Sequence, residues 1–234
     1  GIGCIGSRAM AGRLSVEDLK SLRDQDGTVL YDEMKLRGFD PDAIASCRRK
    51  EGDVFCSLEL HIEQNKVLEE RNLPLGIVKA ICSALNFVVT VTGQAAHAGG
   101  MPMDVRKDAY AAACEMSLAL ERLVRENRLS EYCTGTVGYV QLSPNAPNII
   151  PGQVQFTVDI RDCNAASKDA LMNAVQDEFQ KIAEKRDVGL RMELQNNDKP
   201  VVSHPVLMAA LEQHAAARGY ESCELISGPF HDSL

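Results

Sequence analysis

Between Leu85 and Asn196 the spacing of the apolar residues changes in a set order, and few folds satisfy that order. Residues 86–92 are rich in β-branched side chains, stop at Gly93 and predict a strand. Residues 104–127 predict a long helix, because Ala109, Ala112, Ala113, Met116, Leu120, Leu123 and Val124 recur at helical spacing. Asp104 reads as its cap, with Asp108 also near the positive end of the helix dipole. Residues 135–142 predict a second strand, and the turn-rich Ser143-Pro144-Asn145-Ala146-Pro147-Asn148 separates it from a third at 153–160. A helix over 167–186 carries Leu171, Ala174, Val175, Phe179 and Ile182 on one face, and residues 188–194 close the set as a strand. The order is β-α-β-β-α-β, the split βαβ pattern of a ferredoxin-like sandwich.

The flanks follow a different logic. Residues 54–60 predict a strand that runs into His61-Ile62-Glu63-Gln64, while 24–52 predict loops and short helices. Beyond the module, a helix over 205–218 and a short strand over 223–226 lead to Ser227-Gly228-Pro229-Phe230-His231-Asp232. Two α/β pieces around one complete small domain predict an insertion: 1–84 and 199–234 belong to one α/β domain, and 85–198 interrupts it. The outer pieces carry too few strands for a doubly covered sheet, so that α/β domain is expected to be incomplete.

Charge narrows the partners. With 33 Asp and Glu against 25 Lys and Arg, the net charge of −8 argues against a nucleic-acid surface, which needs clustered cations. No apolar run approaches the roughly 20 residues of a membrane span. The 8 cysteines contain no C-x-x-C pair. Most lie in apolar runs, as Cys56 and Cys114 do, and predict reduced thiols acting as small hydrophobes in a cytoplasmic setting. The opening Gly1-Ile2-Gly3-Cys4-Ile5 lacks a signal peptide's basic and apolar regions, though the chain starts without methionine and leaves room for a targeting segment.

Five histidines carry most of the candidate chemistry. His61, at the end of an apolar segment beside Glu59, Glu63 and Gln64, suits a metal ligand oriented by carboxylates or a hydrogen-bonded structural histidine. His97, in Ala95-Ala96-His97-Ala98-Gly99-Gly100, suits a donor to a developing oxyanion or an ordinary loop residue. Arg161 is placed to hold a carboxylate in bidentate fashion, and equally to pair with Asp159 or Asp162, which spacing alone favours. Asn148 reads as a turn former or a polar anchor for an amide-like ligand, and His231 as an imidazole at a pocket wall. His204 and His214 read as structural or exposed. There is no phosphate loop and no G-x-S-x-G elbow.

Seven segments, in order, resemble one family. They are Gly6-Ser7-Arg8-Ala9-Met10-Ala11-Gly12, Leu58-Glu59-Leu60-His61-Ile62-Glu63-Gln64, His97-Ala98-Gly99-Gly100-Met101-Pro102-Met103-Asp104, Gly135-Thr136-Val137-Gly138, Asn148-Ile149-Ile150-Pro151-Gly152, Phe156-Thr157-Val158-Asp159-Ile160-Arg161-Asp162 and Ser227-Gly228 through His231-Asp232. Together they are similar to the M20-type metal-dependent amidohydrolases of the hydantoinase/carbamoylase group. The resemblance implies a catalytic α/β domain with an inserted ferredoxin-like lid that dimerises. It implies a site with two divalent ions, zinc or sometimes manganese or nickel, with His61 as a ligand and Gln64 nearby on the substrate. It also implies that His97, Asn148 and Arg161 are lid residues on the substrate, with His97 and Asn148 reaching the partner subunit's site, and that His231 borders the pocket. The implied reaction is hydrolysis of a carbamoyl or ureido C–N bond in substrates such as allantoate, ureidoglycolate or N-carbamoyl amino acids. Activated water attacks, and His97 helps stabilise the oxyanion.

The pattern departs in places. The family's H-x-D segment, bridging aspartate and Glu-Glu pair precede its Gly-Ser-Arg segment, and no H-x-D occurs in this chain. The family's last metal-ligand histidine follows its His-Asp segment, where this chain stops. Asn65 replaces the usual glycine after His-Ile-Glu-Gln, and Pro229-Phe230 replace a small pair. The expectation is therefore an internal piece of a larger enzyme, with Gly1 and Leu234 as cut ends. The competing expectation is a non-catalytic dimerisation or ligand-binding protein.

Overall fold

A computed structural model describes residues 3–24 and 26–233. Gly1 and Leu234, read above as cut ends, lie outside the described residues. The chain divides into two compact units, residues 1–62 with 231–234 and residues 63–230.

The first unit is helical. Helices α1 (Ile5–Met10), α2 (Val16–Ser21) and α3 (Leu30–Leu36) are followed by a 3-10 helix at Pro41–Cys47. Ser15 caps α2 in a reciprocal capping box with Asp18, which satisfies two first-turn N–H groups. Ala9, Leu14, Leu19 and Ile44 form its small core. The strand expected over 54–60 is absent. An extended segment becomes a ladder only when a neighbour exchanges hydrogen bonds with it, and no described residue pairs with this one. Its side chains are consequently exposed, Phe55 at 99% and Leu60 at 94%. Cys56 is exposed with them, contrary to the buried thiol expected there; all eight cysteines are free.

The second unit opens with α4 (Val67–Arg71), β1 (Leu75–Ile81), β2 (Ser83–Thr92) and β3 (Ala96–His97). It continues through α5 (Ala109–Glu126), β4 (Cys133–Ser143), β5 (Ile149–Ile150), β6 (Gln153–Asp162), α6 (Ala165–Lys185) and β7 (Gly189–Asn197). It closes with β8 (Val201–Val202), α7 (Pro205–Ala216) and β9 (Ser222–Ser227). The main sheet is antiparallel in the order β4-β6-β2-β7, the ferredoxin-like arrangement expected from the sequence. Along β6 every second residue is buried, so Val154, Phe156, Val158 and Ile160 face α5 and α6. Phe156 meets Phe179 of α6 with ring centroids 6.1 Å apart at 59°. Each such side chain contributes about 1.5–3 kcal/mol through burial.

Helix α5 begins at Ala109, later than the 104 start expected. The Lys107 carbonyl accepts the Gln94 N–H at 2.8 Å, and Arg106 and Asp108 on either side are extended. The Asp108 carboxylate then accepts from the Tyr110 and Ala111 N–H groups. This close approach requires glycine at 93, where a Cβ would stand 2.0 Å from the Lys107 oxygen.

A second, three-stranded sheet was not legible beforehand: β1 pairs parallel with β9 and antiparallel with β8. Inside the unit, Lys168 is buried and donates to Ser83 Oγ at 2.6 Å and to the Asp198 carbonyl. Among the described residues no helix is long and apolar enough to cross a membrane.

Candidate metal centre and substrate contacts

In the first unit Glu59, His61 and His231 come together. Residues two apart on an extended chain share a face, so Glu59 and His61 project to the same side. His231 arrives from the other end of the sequence. It is held there by Ser7 Oγ donating to Asp232 at 2.7 Å and by Cys4 Sγ near the His231 carbonyl at 3.4 Å. One ligand atom from each of the three residues lies within 4.8 Å of the others. His231 is buried, whereas Glu59 and His61 are exposed.

The chemistry of this group suits a divalent cation. His61 Nδ1 lies 2.7 Å from the Ile62 carbonyl, which only accepts, so a neutral ring carries its proton on Nδ1 and keeps the lone pair on Nε2. Burial, reinforced by the neighbouring His61, pushes the His231 imidazole below its ordinary value of 6.5 and favours the neutral, ligating form. The Ser233 hydroxyl and N–H donate to Glu59 at 2.7 and 2.9 Å, holding its carboxyl below the usual 4.5. Two imidazoles and one carboxylate form the donor set of a three-ligand zinc-type site. Glu59 was read from sequence as a neighbour of His61, and the i, i+2 spacing was the available signal. Glu63 is engaged elsewhere, since its carboxylate caps α4 by accepting from Val67 and Leu68.

The remaining candidates lie in the second unit. Gln64 is exposed at a positive φ of 53° just before α4. His97 and Asn148 are brought together on a short ribbon, where β3 pairs with β5 and the Ala98 N–H donates to the Asn148 carbonyl at 2.8 Å. Both side chains are exposed. The Gly99 N–H donates to His97 Nδ1 at 3.1 Å, so a neutral ring carries its proton on Nε2.

Arg161 makes the ion pair that its spacing favoured. It meets both oxygens of Asp159, at 3.1 and 3.2 Å, and donates to the Gly228 carbonyl at 3.2 Å. The Asp159 bonds raise its already high pKa further. Three of its five N–H groups are thus used. Arg161 lies at the opposite end of β6 from the His97 ribbon. It pairs with Ala84, whereas Gln153, next to that ribbon, pairs with Thr92. Eight residues of strand separate the two ends, about 27 Å at 3.4 Å per residue.

Residues 80–187 match the family model for a peptidase dimerisation domain. The chain is 40% identical to an N-carbamoyl-L-amino acid amidohydrolase of Geobacillus stearothermophilus over 99% of its own length and 56% of that protein. It is 34% identical to a ureidoglycolate hydrolase of Arabidopsis thaliana, covering 100% of this chain and 50% of that one. A crystal structure of a hydantoinase/carbamoylase family amidase from Burkholderia vietnamiensis superposes with a TM-score of 0.84 at 30% identity, over 99% of this chain and 55% of that one. The chain spans about half the length of the curated relatives it matches.

Proposed function

Because this chain belongs to the hydantoinase/carbamoylase family of M20-type amidohydrolases, we propose that it serves the hydrolysis of carbamoyl or ureido C–N bonds in small carboxylate-bearing substrates. The observation that carries this reading is the Glu59–His61–His231 group, whose donor atoms fit a divalent cation. Zinc is the leading candidate, with manganese or nickel as alternatives. Bound there, such an ion acts as a Lewis acid and makes water nucleophilic near neutral pH. The family resemblance implies two ions, and these residues account for one.

The chain's own residues divide the remaining roles. Arg161 holds the substrate carboxylate through N–H groups that Asp159 and Gly228 leave available. His97 offers Nε2–H to the scissile carbonyl oxygen as negative charge grows there. Asn148 and Gln64 anchor the amide-like end, and His231 borders the pocket beside its role toward the cation. The separation of about 27 Å along β6 keeps His97 and Asn148 away from the Arg161 of the same chain. A site that uses all three therefore draws them from two chains, which supports a homodimer built through the dimerisation domain.

The test is ammonia release from N-carbamoyl-L-amino acids, ureidoglycolate and allantoate by the purified protein with zinc, manganese or nickel, and after chelation. Metal-dependent release supports the proposal and its rank order names the substrate. A folded, dimeric protein that binds no metal and releases no ammonia from any of the three would overturn it in favour of a non-catalytic dimerisation or ligand-binding role.

A further inference from the structure

The loop after His97 is fastened by a residue outside the substrate-contact set. Arg106, half-buried, donates from Nη2 to the Ala98 carbonyl at 2.6 Å and from Nε to the Met101 carbonyl at 3.0 Å. Those two carbonyls bracket Gly99 and Gly100, so the guanidinium ties the two ends of the turn together. The Gly100 and Met101 N–H groups meanwhile both donate to the His97 carbonyl at 3.1 Å. Within the closed turn the Gly99 N–H meets His97 Nδ1. A Cβ at Gly99 would stand 3.4 Å from the ring's Cε1, so the turn wraps closely on the imidazole.

We propose that Arg106 is a positioning residue for His97, clamping the 98–101 turn so that the Gly99 N–H holds the ring and its Nε2–H is the hydrogen offered to substrate. This rests on the reading of His97 as a donor to the substrate carbonyl. Only a planar fork suits this geometry. Its two nitrogens reach two carbonyls at once from fixed positions, whereas an ammonium is a single point charge on a flexible stem. The neighbouring backbone is already committed, since the Lys107 carbonyl accepts from Gln94 and anchors the root of the Arg106 side chain. The imidazole is thereby oriented through backbone groups, with no acidic side chain needed for it.

The experiment is amide hydrogen exchange by NMR on the full chain, comparing wild type with Arg106→Met and Arg106→Lys. In Arg106→Met the Gly99 amide is expected to exchange at least about tenfold faster, while amides of β2 and β6 keep their protection, since opening is local. Arg106→Lys should fall between the two. It also serves as the reporter if the methionine variant fails to fold, in which case unchanged Gly99 exchange in it overturns the proposal. A uniform loss across all amides in both variants would mark Arg106 as merely structural and overturn it as well. In the hydrolysis assay Arg106→Met should lower kcat with KM little changed, because the donor acts on developing charge. His97→Ala separates the two ideas: full activity in His97→Ala removes the donor reading, whereas unchanged Gly99 exchange in both Arg106 variants removes the clamp alone.

Discussion

The imidazole rings of His61 and His231 meet edge to face, with centroids 4.3 Å apart and planes at 75°, although 170 residues of sequence separate them. Aromatic rings prefer this arrangement to a flat stack. It brings two imidazole nitrogens to Glu59 and makes the three residues one donor set. Equilibrium dialysis against zinc, with the bound metal quantified, should therefore find a site lost on substitution. His61→Ala and His231→Ala should each weaken binding by at least about 100-fold, more than the loss of a supporting partner costs. His214→Ala, exposed on α7, serves as the control and should bind as wild type. Wild-type affinity in His61→Ala would sink the assignment.

The proposed sharing of sites between subunits predicts complementation. His97→Ala and Arg161→Met should each be nearly inactive alone. An equimolar mixture, allowed to exchange subunits, should recover about a quarter of wild-type activity, because half the dimers are mixed and each contains one intact site. Recovery of nothing, with exchange verified by mass, would place both residues at the same site of one chain.

Gly93→Ala should destabilise the protein by about 1–3 kcal/mol, since the new methyl must push the Lys107 carbonyl aside. Thermal melts of the variant beside Gly138→Ala give the comparison, because a Cβ at 138 finds only Thr157 Oγ1 at 4.0 Å. Equal melting temperatures for the two variants would contradict the crowding at Gly93.

Acid should weaken the helical layer through Glu115 of α5. Its carboxylate takes Lys185 Nζ at 2.7 Å and Arg186 Nε at 2.5 Å, and these two bonds hold its pKa below the ordinary 4.5. The depressed value means that the unfolded chain takes up the proton first. The contribution is thus complete above pH 4.5 and disappears as the pH falls through and below it. Glu115→Gln should cost about 1 kcal/mol at pH 7, less at high salt, and nothing near pH 2, as read from urea melts at the three conditions. An equal cost at pH 7 and pH 2 would show that the ion pairs contribute nothing.

The ferredoxin-like layer was legible because its central strands β2 and β6 each bury one face, leaving a period of two in the residues themselves. Strand β1 left no such trace. Its burial runs through consecutive residues at Ala80 and Ile81, and its parallel partner β9 lies about 140 residues further on. The segment at 54–60 had the composition of a strand without a neighbour to complete one, and pattern alone cannot supply the neighbour. At the site, the Arg161–Asp159 pair followed from two residues sharing a strand face, and Glu59 with His61 from the same spacing on an extended segment. Arg106 was invisible because both its partners are backbone carbonyls, which every residue carries.

The first unit is assembled from residues 1–62 and 231–234, whereas the second is one uninterrupted stretch. During synthesis the ribosome releases the second unit whole, and it can collapse while the first still waits for its closing segment. Ser7 finds Asp232, and Glu59 finds Ser233, only when translation has nearly run the length of this sequence. The Glu59–His61–His231 group is therefore completed only after the second unit has been synthesised. A nascent chain stalled between Asn197 and His231 would hold every strand of the β4-β6-β2-β7 sheet and lack the third member of the Glu59–His61–His231 group.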